Sequence, residues 1–103
     1  MEKKCYIIGK VTGLPREQVV SKFEKTEALV KSMNMHPVNP VAIIPEGTPW
    51  HEAMKLCIKL LVDCDFVLVL PDHSGSKGSM LELTISRGLQ IPEFFGHFKM
   101  SEL

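Results

Sequence analysis

The sequence predicts an α/β domain built on a parallel, doubly wound sheet of about four strands. Three observations carry this. Short apolar runs alternate with longer stretches of helical period along the whole chain. The clearest run, Phe66-Val67-Leu68-Val69-Leu70, is closed by Pro71 and reads as a central strand covered on both faces. The chain has 103 residues, which suits one domain, and no repeat, low-complexity stretch or linker divides it.

The elements follow in order. Cys5-Tyr6-Ile7-Ile8 is an apolar run stopped by Gly9, so it reads as a buried first strand. Gly9 to Pro15 is a glycine-containing loop. Pro15 suits the first turn of a helix, and Glu17 favours its positive end. That helix is expected to reach about Met35, with Val19, Phe23, Leu29, Val30 and Met33 near one face and Lys22, Glu24, Lys25 and Lys31 on the solvated side. His36 to Pro40 reads as a short second strand pinned by prolines, and Pro40 to Pro49 as a proline-rich loop. A second helix is expected from about Trp50 to Val62. After the central strand comes a turn, Asp72 to Gly78, then a third helix from Lys77 to about Arg87 with Gly88 as its terminator. Ile91 to Phe95 is the last predicted strand, and Gly96 to Leu103 a tail.

Right-handed crossovers between such elements give the strand order 2-1-3-4 in a three-layer, flavodoxin- or Rossmann-like domain spanning residues 1–103. Ligands of these sheets bind at the carboxyl ends of the strands, where the order reverses. That point lies between strands 1 and 3. It brings the loop Gly9–Arg16 next to Asp72–Gly78.

Composition narrows the function. Lys plus Arg and Asp plus Glu are both 12, and no basic run occurs. Such a chain lacks the electrostatic footprint of a nucleic-acid or anionic-membrane binder. No segment is long enough to span a bilayer, and the N-terminal apolar run is too short for a signal peptide. Cys5, Cys57 and Cys64 each sit in an apolar stretch, so all three read as structural thiols in a reducing cytosol. Asp63 and Asp65 beside Cys64 would raise its pKa. The predicted second helix is apolar on nearly every side from Ala53 to Val62, with only Lys55 and Lys59 breaking through. It is therefore expected to be buried on most sides. A homo-oligomer interface is the simplest cover, and the prolines and the C-terminal tail are the alternative.

Several residues are fit for chemistry. Glu82 is the only acid in the third helix, and its side chain should lean back toward the crevice. There it can serve as nucleophile, base or ligand for hydroxyls. Ser79-Met80-Leu81-Glu82 also fits a capping box, which would make Glu82 a mere cap. If Ser76 is the N-cap, the box is broken; the sequence leaves both open. Ser74, Ser76, Gly78 and Ser79, with Gly75 and Lys77, form a small-residue loop at a helix start. That suits a phosphate or sugar cradle, or simply a turn. Its glycine spacing is not that of a Walker loop. Tyr6 is either a site residue near the switch point or a core aromatic whose hydroxyl finds a partner. Asp72 and His73 can act as acid, base or hydroxyl ligand, or be ordinary exposed loop residues. Gly9 lets a ligand approach the end of the first strand. His36, His51 and His97 lack metal-ligand spacing, so no metal and no cofactor are expected.

With these residues in view, the chain resembles the nucleoside 2-deoxyribosyltransferase-like family, which includes deoxynucleoside-5′-monophosphate N-glycosidases. The resemblance runs from Tyr6 to about Pro92. It rests on Tyr6-Ile7-Ile8-Gly9, on Cys64-Asp65-Phe66-Val67 and on Ser76-x-Gly78-x-x-x-Glu82. Short members without assigned function are the most similar, sharing Gly13-Leu14-Pro15, Asn39-Pro40 and Trp50. The resemblance implies that Glu82 attacks the anomeric carbon, that Tyr6 orients it, and that Ser76 lies near a phosphate. It also implies an acid in the helix before strand 3, where this chain has Lys55 to Cys57; Glu52, His51 or Asp72 are the substitutes at hand. The expected function is an N-glycosidic-bond hydrolase or deoxyribosyltransferase acting on nucleosides or their 5′-monophosphates. The alternatives are a non-catalytic nucleotide or nucleotide-sugar binding module and an oligomeric structural or regulatory protein.

Overall fold

The computed structural model describes residues 2–96. Its strands are β1 (Lys4–Ile8), β2 (His36–Val38), β3 (Phe66–Val69) and β4 (Glu93–Phe95). All pairings are parallel, and the order is β2-β1-β3-β4, as the sequence predicts. The helices are α1 (Arg16–Ser32), α2 (Pro40–Ile43), α3 (Trp50–Val62) and α4 (Lys77–Gly88), with a 3-10 turn over Pro71–Gly75. The result is a Rossmann-like α/β fold. Cys5 pairs with Phe66 and Ile8 with Val69, so β1 and β3 end side by side. The expected tail beyond residue 96, with His97, lies outside the described residues.

Each central strand feeds two cores, because successive side chains point to opposite faces. Cys5, Ile7 and Leu68 join Val19, Phe23 and Val30 of α1 on one face. Tyr6, Ile8, Val67 and Val69 join Leu61 of α3 and Leu83 of α4 on the other. Burial raises the thiols of Cys5 to about 12 and Cys64 to about 11. Asp63 and Asp65 add to the effect on Cys64. Among the described residues, no helix is long and apolar enough to cross a membrane.

Several local expectations are corrected. Lys22 is not on a solvated face; it is 2% exposed. The stretch after Pro40 is not all loop. Asn39 accepts hydrogen bonds from the Val41 and Ala42 N–H groups, and Pro40 takes the first helical position, so α2 forms. Gly88 is the last residue of α4, as expected, but it does not take up the left-handed conformation. Both α1 and α4 stop through a residue in the left-handed region, Asn34 (φ 61) and Gln90 (φ 59). In each case the next residue donates back into the helix, Met35 to Val30 and Ile91 to Ser86. Those two residues are apolar and turn inward, Met35 into one core and Ile91 against the other, so packing fixes each helix stop together with the left-handed turn. Within the single chain, α3 buries Met54 and Leu61, while Leu56 and Val62 stand exposed on its outer face.

Candidate functional site

A cavity of about 640 Å³ opens where β1 and β3 end. Its walls come from the first loop, the start of α1, the segment from Pro40 to Thr48, the inner stripe of α3 and the start of α4. α3 and α4 pack against one another on the same side of the sheet. Trp50, Met54 and Cys57 are spaced at i, i+4 and i+7, so they share the α3 face that meets the cavity.

The helix start decides what Glu82 can be. Ser76 is the N-cap of α4, its Oγ accepting from the Ser79 N–H at 3.1 Å. The capping box from Ser79 is therefore absent, and Glu82 lies inside the helix rather than at its cap. The Tyr6 hydroxyl donates to Glu82 Oε2 instead. Tyr6 is fully buried and Glu82 is 6% exposed. Burial pushes the Glu82 carboxyl up to about 7, against the opposing effect of the Tyr6 hydrogen bond. Burial and the neighbouring Glu82 charge push the Tyr6 hydroxyl well above the usual phenol range, so it stays a donor. The Cys57 thiol faces the same hydroxyl and is raised to about 11, mainly by burial. Tyr6, Glu82 and Cys57 thus meet at the β1 end of the cavity.

Ser79 also lines the cavity. It is 1% exposed, and its hydroxyl has no hydrogen-bond partner among the described residues. Buried polar groups are nearly always paired, so this one stands ready for a ligand oxygen. Ser76, Gly78 and Gly9 line the cavity as well. The glycines have packing reasons of their own. A Cβ on Gly9 would come within 2.6 Å of Leu70 Cδ1, and one on Gly78 within 3.0 Å of Met54 Sδ.

Three expected site residues lie elsewhere. Ser74 is exposed and is not part of the cavity wall. Asp72 is held in a clasp: its Oδ2 accepts from Lys22 Nζ at 2.5 Å and its Oδ1 from the Lys10 N–H at 3.1 Å. Lys22 Nζ also donates to the Lys10 carbonyl at 2.6 Å. The clasp ties α1, the first loop and the 3-10 turn together. His73 faces the Leu70 carbonyl at 2.8 Å and is likewise outside the wall. Of the three stand-ins for a helix acid, neither Glu52, His51 nor Asp72 lines the cavity.

The wall adds Lys10, Arg16 and Glu46, which the sequence did not single out. Lys10, Arg16 and Lys77 line the cavity against Glu46 and Glu82. Arg16 pairs with Glu46 at 3.2 Å and donates to the Val41 carbonyl. With Glu82 partly protonated near neutrality, the cations prevail and the cavity favours an anion. Trp50 and Cys57 were open to discovery through their helical spacing, and Arg16 through its place just after the first loop. Among the described residues, no group of three or more His, Cys, Asp or Glu is arranged to hold a metal ion.

The family comparison matches residues 3–93 to the family described as "Domain of unknown function (DUF4406)", and the chain belongs to that family. No curated protein matches the sequence.

Proposed function

We propose that the protein cleaves or transfers the N-glycosidic bond of nucleosides or nucleoside 5′-monophosphates, with Glu82 as nucleophile. The observation that carries this is the Tyr6–Glu82 pair, buried at the inner end of a cavity large enough for a nucleotide. The resemblance of Tyr6, Ser76, Gly78 and Glu82 to the nucleoside 2-deoxyribosyltransferase-like pattern points the same way.

In this reading the ionised Glu82 carboxylate attacks the anomeric carbon of the sugar. The carbon–nitrogen bond breaks, and its electron pair leaves with the base. Tyr6 holds the attacking oxygens in place. The glycosyl-enzyme ester is then opened by water, or by a second base in transfer. A phosphate would sit at the start of α4, where the Lys77 and Gly78 N–H groups and the α4 dipole favour an anion and Lys10 Nζ lies near Gly75. The excess of cations in the wall supports a phosphorylated substrate.

One observation favours a second reading, a nucleotide or nucleotide-sugar binding module. None of the residues that could replace the helix acid reaches the cavity wall. The departing base would then take its proton from solvent, forgoing a factor of about 10²–10⁴.

Incubation with a panel of deoxynucleosides and their monophosphates, followed by chromatography for free base, tests the proposal. Base release that disappears in Glu82→Ala is expected. No release, or an unchanged rate in the variant, overturns it. Calorimetric binding without release establishes the second reading.

A further inference from the structure

We propose that Trp50 is the platform on which the planar base of the ligand stacks. This rests on the nucleoside or nucleotide reading above and adds the residue that recognises the base.

Trp50 is the chain's one tryptophan and opens α3 at the cavity wall. It is only half-buried. Lys77 Nζ lies over its ring, 5.0 Å from the centroid, and Lys77 is itself exposed. A long, solvated lysine is easily moved, so that face of the indole is available rather than sealed by core carbons. The other close aromatic, His51, meets Trp50 at 88° and 5.1 Å, so it does not stack on it.

Position along the cavity makes the ring useful. A Cβ on Gly78 would lie 3.8 Å from Trp50 Nε1, so the indole edge sits against the α4 backbone at Gly78. Glu82 is four residues further along α4, about 6 Å in rise. Cys57, two turns on from Trp50, is beside the Tyr6 hydroxyl that holds Glu82. The two helices therefore set the order Trp50, then Met54 and Ser79, then Glu82. A sugar carbon at Glu82 leaves its substituents to spread toward the mouth. The α3 side offers an indole and a thioether, and the first-loop side offers Lys10 and Arg16. A flat apolar ring belongs on the first side, and a phosphate on the Lys10 side of the α4 start, where Lys10 Nζ lies near Gly75. The indole N–H donates to no protein group among the described residues, so it can also serve the ligand.

The test uses the full-length chain and its Glu82→Gln variant, which keeps an acceptor for Tyr6 and removes the nucleophile. Because Trp50 is the single tryptophan, its emission reports on the platform alone. 2′-Deoxyadenosine 5′-monophosphate should quench that emission saturably, and 2′-deoxyribose 5-phosphate should leave it unchanged. In calorimetry, Trp50→Leu should weaken nucleotide binding about tenfold or more, whereas Trp50→Phe should stay within about threefold. Nucleotide binding with unchanged emission, or with equal affinity in Trp50→Leu, overturns the platform and leaves the proposed function standing. A chain that binds no nucleotide at all overturns both.

Discussion

Breaking the Lys22–Asp72 clasp should destabilise the domain by an amount that the geometry sets. The Lys22 side chain is 3% exposed and that of Asp72 is 11% exposed, so neither charge can return to water without the fold opening. Removing one partner from such a pair typically costs about 3–5 kcal/mol, because the other is left buried and unpaired. Asp72→Asn leaves the Lys22 ammonium with the Lys10 carbonyl and a neutral amide. It should fall inside that range. Lys22→Met leaves a carboxylate that keeps the Lys10 N–H and some contact with water, so its loss should sit near the lower end, about 3 kcal/mol. The double variant should lose less than the sum of the two, by about 1–3 kcal/mol, since no lone charge remains. Urea titrations followed by circular dichroism measure all four proteins. With a slope of about 1–3 kcal/mol per molar, each single change should move the midpoint by roughly 2 M. Losses below about 1 kcal/mol for Asp72→Asn, or strict additivity in the double variant, would refute the reasoning.

Three further predictions are independent of that pair. The Glu82 carboxyl lies at about 7 in the folded state against 4.5 as its ordinary value, so the unfolded chain ionises first as pH rises. Stability from this group is therefore greatest below about pH 4.5 and falls as pH approaches 7, by about 3 kcal/mol. The difference in unfolding free energy between wild type and Glu82→Gln, measured at pH 5 and pH 8, should show that fall; a flat difference would contradict it. Gly9→Ala should destabilise by about 1–3 kcal/mol in thermal or urea unfolding, because its methyl group would press on buried Leu70 and Phe23. If the outer face of α3 mediates self-association, Leu56→Glu should shift the sedimentation mass toward the monomer without lowering helix content; an unchanged mass removes that interface.

Much of the architecture was legible because it depends on pattern. The apolar run at Phe66–Leu70 and the shorter one at Cys5–Ile8 can satisfy their backbones only in a covered sheet. The connections between them are long enough for helical crossovers. Strand order and the switch point then follow from handedness. Local ends were less legible. Gly88 carries the usual signal for a helix stop, and α4 does end there, but the left-handed turn falls on Gln90, which brings Ile91 inward. Asn39-Pro40 carried a cap-and-proline signal for α2, masked by the density of prolines that followed.

The site divides along the same line. Residue order alone places Glu82 as the one acid of its helix, Tyr6 on the first strand, and small residues around Ser76. The choice between a cap and a buried carboxyl is made by the folded chain. That choice rests on the Tyr6 hydroxyl, 76 residues away in the chain, and on the desolvation supplied by packed helices. Lys22 is the mirror case. Its spacing among Glu24, Lys25 and Lys31 marks a solvated stripe, and only the approach of Asp72, from the turn after β3, makes its burial tolerable. Hydrophobic pattern is local and additive, so it can be read from a string. Charge burial depends on which partner arrives from elsewhere, and that is fixed only when the chain has closed on itself.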